Sequence, residues 1–146
     1  MLEIAEFIPP SPAPLWKLVK QAGVDLAVGG LPFDMLKPGE RVCDYAPLKR
    51  MKEQYEEGGF ALKVIEARPP LNKAKRGLSG RDEEIEVVLE LLTNMGKLGI
   101  PVWCYEWLAD FGWVRTNFAT PSRGGSLVTS FNIDDVPDDI TSNPPI

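Results

Sequence analysis

Across residues 2–105 the chain alternates apolar runs of strand length with segments of helical period, and this alternation constrains the fold more than any other feature. Residues 2–8 set Leu2, Ile4 and either Phe7 or Ile8 against Glu3 and Glu6, then stop at Pro9-Pro10, which cannot continue a ladder. Residues 24–28 form a compact run closed by Gly29-Gly30, and residues 60–66 and 100–105 supply two more strands. Between them lie three helical patterns. The first follows Ser11 as cap and carries Leu15, Trp16, Leu18 and Val19 up to Gly23. The second follows Asp44, with Leu48, Met51 and Tyr55 on one face, and ends at Gly58-Gly59. The third opens at Ser79 and Asp82, which read as a capping box, and runs through Ile85, Val88, Leu89, Leu92, Met95 and Leu98 to Gly99. Residues 31–42 read as a loop, and Pro69-Pro70 begin a basic loop with Lys73, Lys75 and Arg76. Strands alternating with helices predict right-handed crossovers and a parallel sheet, an α/β fold.

After Glu106 the pattern fails. The reading is of two regions, an α/β unit over 1–106 and an excursion over 107–146, with a short strand or hairpin at 126–131 and an acidic, Pro-containing tail. The balance of 16 Lys+Arg against 21 Asp+Glu, net −5, argues against a surface that tracks nucleic-acid phosphates. No apolar stretch approaches the ~20 residues of a bilayer span, and the start, with Glu3 and Glu6, lacks a secretory h-region. The expectation is a cytoplasmic protein with no membrane partner. Cys43 and Cys104 show no CxxC spacing and read as reduced thiols, Cys104 as core. The chain has no His, which removes the commonest metal ligand and general base.

In parallel α/β sheets functional groups collect beyond the carboxyl ends of the strands. Here those ends are Pro9 to Ser11, Gly29-Gly30, Glu66 with Arg68, and Tyr105-Glu106 with Trp107. Glu66 and Glu106 each close a strand and can face one pocket as acid, base or ligand, or pair with a cation such as Arg68 or Arg115. Phe111 to Thr116 offers Trp113 as an apolar wall and Arg115 as a planar fork for a carboxylate, or else a structural ion pair. Gly29-Gly30, without a fuller phosphate-loop pattern, reads as a turn.

Three blocks carry a resemblance: Val64-Ile65-Glu66 with Pro69; Gly80-Arg81-Asp82 through the long helix to Gly99-Ile100; and Val102-Trp103-Cys104-Tyr105-Glu106-Trp107 leading to Gly112-Trp113-Val114-Arg115-Thr116. Together they resemble the N-terminal half of mannonate dehydratase over most of residues 1–133. In the last block Cys104, Tyr105, Trp113, Arg115 and Thr116 match the family's CYNF and DWTRT segments, and Gly124, Ser126 and Phe131 match beyond it. Glu106 stands where the family has Asn, Gly112 where it has Asp, and Leu71 near its His.

The resemblance implies the N-terminal half of a (β/α)8 TIM barrel, four parallel strands with helices, of the xylose-isomerase-like group. It implies a lyase of glucuronate catabolism that removes water from D-mannonate to give 2-dehydro-3-deoxy-D-gluconate, using Mn or Fe(II). The family's metal ligands, two His, a Cys and an Asp, lie in its C-terminal half, so none is carried by this chain. Arg115 and Trp113 are then expected to position a sugar-acid substrate, with Glu66, Tyr105 and Glu106 in support. A barrel of ~250 residues takes roughly 30 per βα unit, and four strands by residue 105 keep that pace. The expectation is an incomplete enzyme, inactive alone, that needs a C-terminal half or self-associates through open strand edges and the inner faces of Ile4, Val64, Ile65, Val102 and Trp103. A noncatalytic half-barrel interaction module, and a divergent sugar isomerase or epimerase, are the alternatives.

Overall fold

The computed structural model describes residues 2–105, 107 and 114–136. The chain divides into two compact units, residues 1–107 and 108–146.

In the first unit the spatial order of the strands is their order in the sequence, and every pair is parallel: β1 (Ala5–Phe7), β2 (Leu26–Gly29), β3 (Ala61–Glu66) and β4 (Val102–Cys104). Helices α1 (Pro14–Gln21), α2 (Tyr45–Glu57), α3 (Asn72–Arg76) and α4 (Arg81–Leu98) fill the connections. A doubly wound sheet reverses direction at a switch point, and this one never does. Right-handed crossovers that always step the same way lay every helix on one face and leave the other for a barrel interior. These are four consecutive βα units of a (β/α)8 barrel.

Register decides which residues face which side. Phe7, Val28, Val64 and Val102 are lateral partners and form one apolar row on the open face, where Phe7 and Val102 stay about half exposed. Ile65 and Trp103 belong to the opposite face, against the helices, and Ile65 is fully buried. They are therefore not part of the open inner face. An irregularity in the β2–β3 register skips Lys63, so Leu62 and Ile65, three apart, both reach the buried side.

The core is organised around Trp16. Its indole stacks on Tyr55 (5.5 Å between ring centroids, 14° between planes), meets Phe60 edge-on at 5.3 Å, and donates through Nε1 to the Pro9 carbonyl at 2.9 Å. Tyr55, fully buried, donates its hydroxyl to the Ile8 carbonyl at 2.7 Å. Both bonds hold backbone just past β1, a strand of only three residues. The approach requires glycine: a Cβ on Gly58 would lie 2.0 Å from Trp16 Cζ3, and one on Gly29 2.9 Å from the Tyr55 hydroxyl. Gly29 is explained by this packing, with no phosphate needed.

Several boundaries differ from the sequence reading. The basic segment at 72–76 is a short helix, closed by Gly77 in the left-handed region (φ 66°), and the Ala74 N–H donates to Glu84 at 3.0 Å. Ser79 forms no capping box: Gly80 at φ 85° precedes α4, with Asp82, Glu83 and Glu84 supplying negative charge to its first turn. Ala13, not Ser11, caps α1, with Pro14 as its first residue. On α4 the face seated on the core is Leu91, Asn94 and Met95, whereas Ile85, Leu89 and Leu92 are exposed. Asn94 is buried because its Nδ2 donates to the Cys43 carbonyl at 2.8 Å, tying α4 to the residue that precedes the α2 cap. The described residues of the second unit contain an antiparallel hairpin of β5 (Asn117–Pro121) and β6 (Leu127–Ser130), so the strand expected at 126–131 has its partner.

Two substitutions separate packing from propensity. Gly58→Ala drives a methyl into the indole and should lower unfolding free energy by about 1–3 kcal/mol. Gly96→Ala, inside α4 with nothing within 4 Å of the added Cβ, should raise it by about 0.5–1 kcal/mol. Urea titration of both variants checks the pair, and equal shifts would contradict this packing.

Burial pushes the Cys43 thiol up from 9.0 to about 11 and the Tyr55 hydroxyl up from 10.0 to about 12. Both groups stay protonated in the fold while the unfolded chain ionises, so their contribution is complete below pH 9 and is lost as pH climbs towards 12. Denaturant midpoints should be flat below pH 9 and fall above it, with the fall beginning only near pH 10 in Cys43→Ala; a midpoint constant from pH 8 to 11 would contradict the burial of both groups.

Candidate functional site at the carboxyl ends of the third and fourth strands

Alternation along β3 and β4 puts Val64 and Glu66, and Val102 and Cys104, on the open face, and Glu66 and Cys104 are lateral partners at its carboxyl end. With Ala67 and Arg68 they line a cavity of about 260 Å³. Glu66 and Cys104 are exposed and Arg68 is half-buried. Cys104 is therefore not a core residue: in a period of two, the position between Trp103 and Tyr105 must face the other way. The signal was in the sequence, since Cys104 and Val102 share parity.

The floor of the cavity is held from behind. Trp103, on the helix side, donates Nε1 to the Ala67 carbonyl at 2.7 Å, and Pro69 is fully buried one residue beyond Arg68. The backbone on both sides of Arg68 is thereby fixed. A carboxylate, a guanidinium and a thiol on one rim can accept a hydroxyl and bind an anion.

The structure sets Tyr105 elsewhere. Its ring stacks on Trp103 (5.0 Å, 28°) and meets Trp107 edge-on (6.1 Å, 87°). These aromatics line an apolar groove of about 370 Å³ with Leu71, Ala74 and Leu89, and Lys75 lies 5.8 Å from the Trp107 ring centre. Arg115 lies in the second unit, beside the hairpin. Its Nε donates to Thr129 Oγ1 at 3.1 Å and its Nη1 to the Val114 carbonyl at 2.9 Å. Glu106 and Trp113 lie outside the described residues. Arg68, offered by the sequence as an ion-pair partner, lines the same cavity as Glu66.

Among the described residues no three of His, Cys, Asp and Glu come together to hold a metal ion. Glu66 and Cys104 supply only two donors to this rim among the described residues, too few to hold Mn or Fe(II). Cys43, buried with its thiol pushed up to about 11 chiefly by desolvation, is a packing residue and no nucleophile.

Comparison with known proteins agrees with this architecture. Mannonate dehydratase from Streptococcus equi subsp. zooepidemicus is 32% identical over 124 residues, covering 81% of this chain and 32% of that protein. The enzyme of the same name from Thermotoga petrophila is 36% identical over 110 residues, covering 75% of this chain and 30% of that protein. The crystal structure of mannonate dehydratase from Streptococcus suis serotype 2 superposes with a TM-score of 0.79 at 25% identity, over 95% of this chain and 40% of that one. The chain thus spans about a third of the length of the curated relatives it matches. The family described as D-mannonate dehydratase (UxuA) matches residues 12–143, and the chain belongs to that family.

Proposed function

We propose that this chain forms the substrate-binding wall of a sugar-acid hydro-lyase that converts D-mannonate to 2-dehydro-3-deoxy-D-gluconate and water. The observation that carries the reading is the cavity at the carboxyl ends of β3 and β4, where barrel enzymes of this kind place their chemistry, in a chain of the D-mannonate dehydratase family. The reaction takes a proton from the carbon next to the carboxylate and hydroxide from its neighbour. Glu66 serves by accepting a substrate hydroxyl, and Tyr105 supports the same rim through its stack on Trp103. Arg115, Trp113 and Glu106 enter through the motif alone, each as a group that binds the substrate.

The Mn or Fe(II) of the reaction is bound by residues this sequence does not contain, and the opposite wall comes from further protein. The apolar row Phe7, Val28, Val64 and Val102 is the surface it would cover. A second copy meeting that row is the other reading, that of an association module. Glucuronate catabolism in the cytoplasm is the setting that fits such an enzyme; no helix among the described residues is long and apolar enough to cross a membrane.

The purified chain, supplied with Mn²⁺, should bind D-mannonate in saturation-transfer NMR and release no 2-dehydro-3-deoxy product. Absence of binding would overturn the substrate reading. Turnover abolished by chelation and restored by Mn²⁺ would overturn the claim that the metal site lies outside this chain. Sedimentation of the same sample at low micromolar concentration decides for the second copy if it shows a dimer, and against it if it shows a compact monomer.

A further inference from the structure

We infer that Trp103 is a positioning residue of this site: its indole N–H, bonded to the Ala67 carbonyl, fixes the rim on which Glu66 meets a hydroxyl of the sugar acid. The inference rests on the substrate reading above. The register of β3 and β4 runs to the pair Glu66 and Cys104. One residue further on, Trp103 Nε1 donates to the Ala67 carbonyl at 2.7 Å, so a side chain does the work of the next rung of the ladder. The bond is partly buried, where a carbonyl deprived of its donor is costly.

Glu66 is exposed, so the backbone on either side of it sets its direction. Trp103 governs both sides. Ile65, fully buried, is its lateral partner in the sheet, and Ala67 is held by its indole. The indole itself stays out of the cavity: it lies in the apolar groove on the helix side, with Leu71 and Leu89, and carries Tyr105 stacked on it at 5.0 Å. Trp103 therefore acts through Ala67 and touches no ligand. A rim fixed before the ligand arrives loses less freedom on binding, so the bond is felt in affinity as well as in stability. The effect is reciprocal, because a bond that favours the ligand is favoured by the ligand by the same factor.

The test has two arms, both on the whole chain with D-mannonate as probe. In the first, Trp103→Phe keeps a ring to stack on Tyr105 and loses the donor, and should weaken D-mannonate about fivefold, the scale of one net hydrogen bond. Gly58→Ala, which strains the Trp16 indole away from the cavity, lowers stability and should leave the affinity within twofold of wild type. A thermal melt sets a temperature at which both variants are folded. In the second arm, hydrogen exchange of the wild-type indole N–H groups is followed by NMR with and without D-mannonate. Exchange at Trp103 should slow about fivefold more than exchange at Trp16, whose indole bonds the Pro9 carbonyl at a strand end that does not line this cavity. If Trp103→Phe does not fold, the exchange arm decides alone. Unchanged affinity in folded Trp103→Phe, equal weakening in Trp103→Phe and Gly58→Ala, or equal slowing at the two indoles each overturns the positioning role and leaves the substrate reading standing. Failure of the wild-type chain to bind D-mannonate overturns both.

Discussion

The stack of Trp16 on Tyr55 above Gly58 is the interaction on which the rest of the barrel segment depends. Each ring buries on the order of 150–250 Å², but the stack does more than remove area from water. Its two polar atoms find the carbonyls of Ile8 and Pro9, so burying them carries no penalty and the end of β1 is held to α1 and α2 at once. β1 has three residues and too few ladder bonds to hold its own place. Where the first strand ends, and so where the mouth of the barrel begins, is decided by two side chains from the helical layer.

The site repeats the same device at the other edge. β4 also has three residues, and Trp103 reaches from it to the Ala67 carbonyl as Trp16 reaches to Pro9. In each case an aromatic on the buried face fixes backbone at the carboxyl end of a strand, and the polar groups on the open side inherit that position. Glu66, Arg68 and Cys104 line one rim because Ile65, fully buried, and Trp103, half-buried against the core, lie behind them. The stable layer and the reactive rim are alternate residues of the same two strands.

This explains what was legible in the sequence and what was not. Element order and type could be read because periods of 2 and 3.6 are local, and the carboxyl ends of the strands followed from them. Facing could not be read as far. Ile65 looked like an inner-face residue because the register skips Lys63, a feature set by β2 and invisible in β3. The α4 stripe of Ile85, Leu89 and Leu92 looked like core, while the true seat includes Asn94, a polar residue admitted only because the Cys43 carbonyl is there to accept its bond. The helix at 72–76 was hidden by Pro69-Pro70 and three cations, and depends on Glu84, twelve residues beyond its first residue, to accept the Ala74 N–H.

The central claim is that the carboxyl ends of β3 and β4 in this chain meet a sugar acid. Backbone amide shifts of the isotope-labelled chain, followed while D-mannonate is added, test it most directly. The account predicts that the shifts that move most belong to residues 66–68 and to Cys104 and Tyr105, while Asp25 and Phe60 at the opposite ends of β2 and β3 stay still. Shifts centred on those opposite ends, or on the outer face of α4 around Glu86 and Glu90, would contradict it.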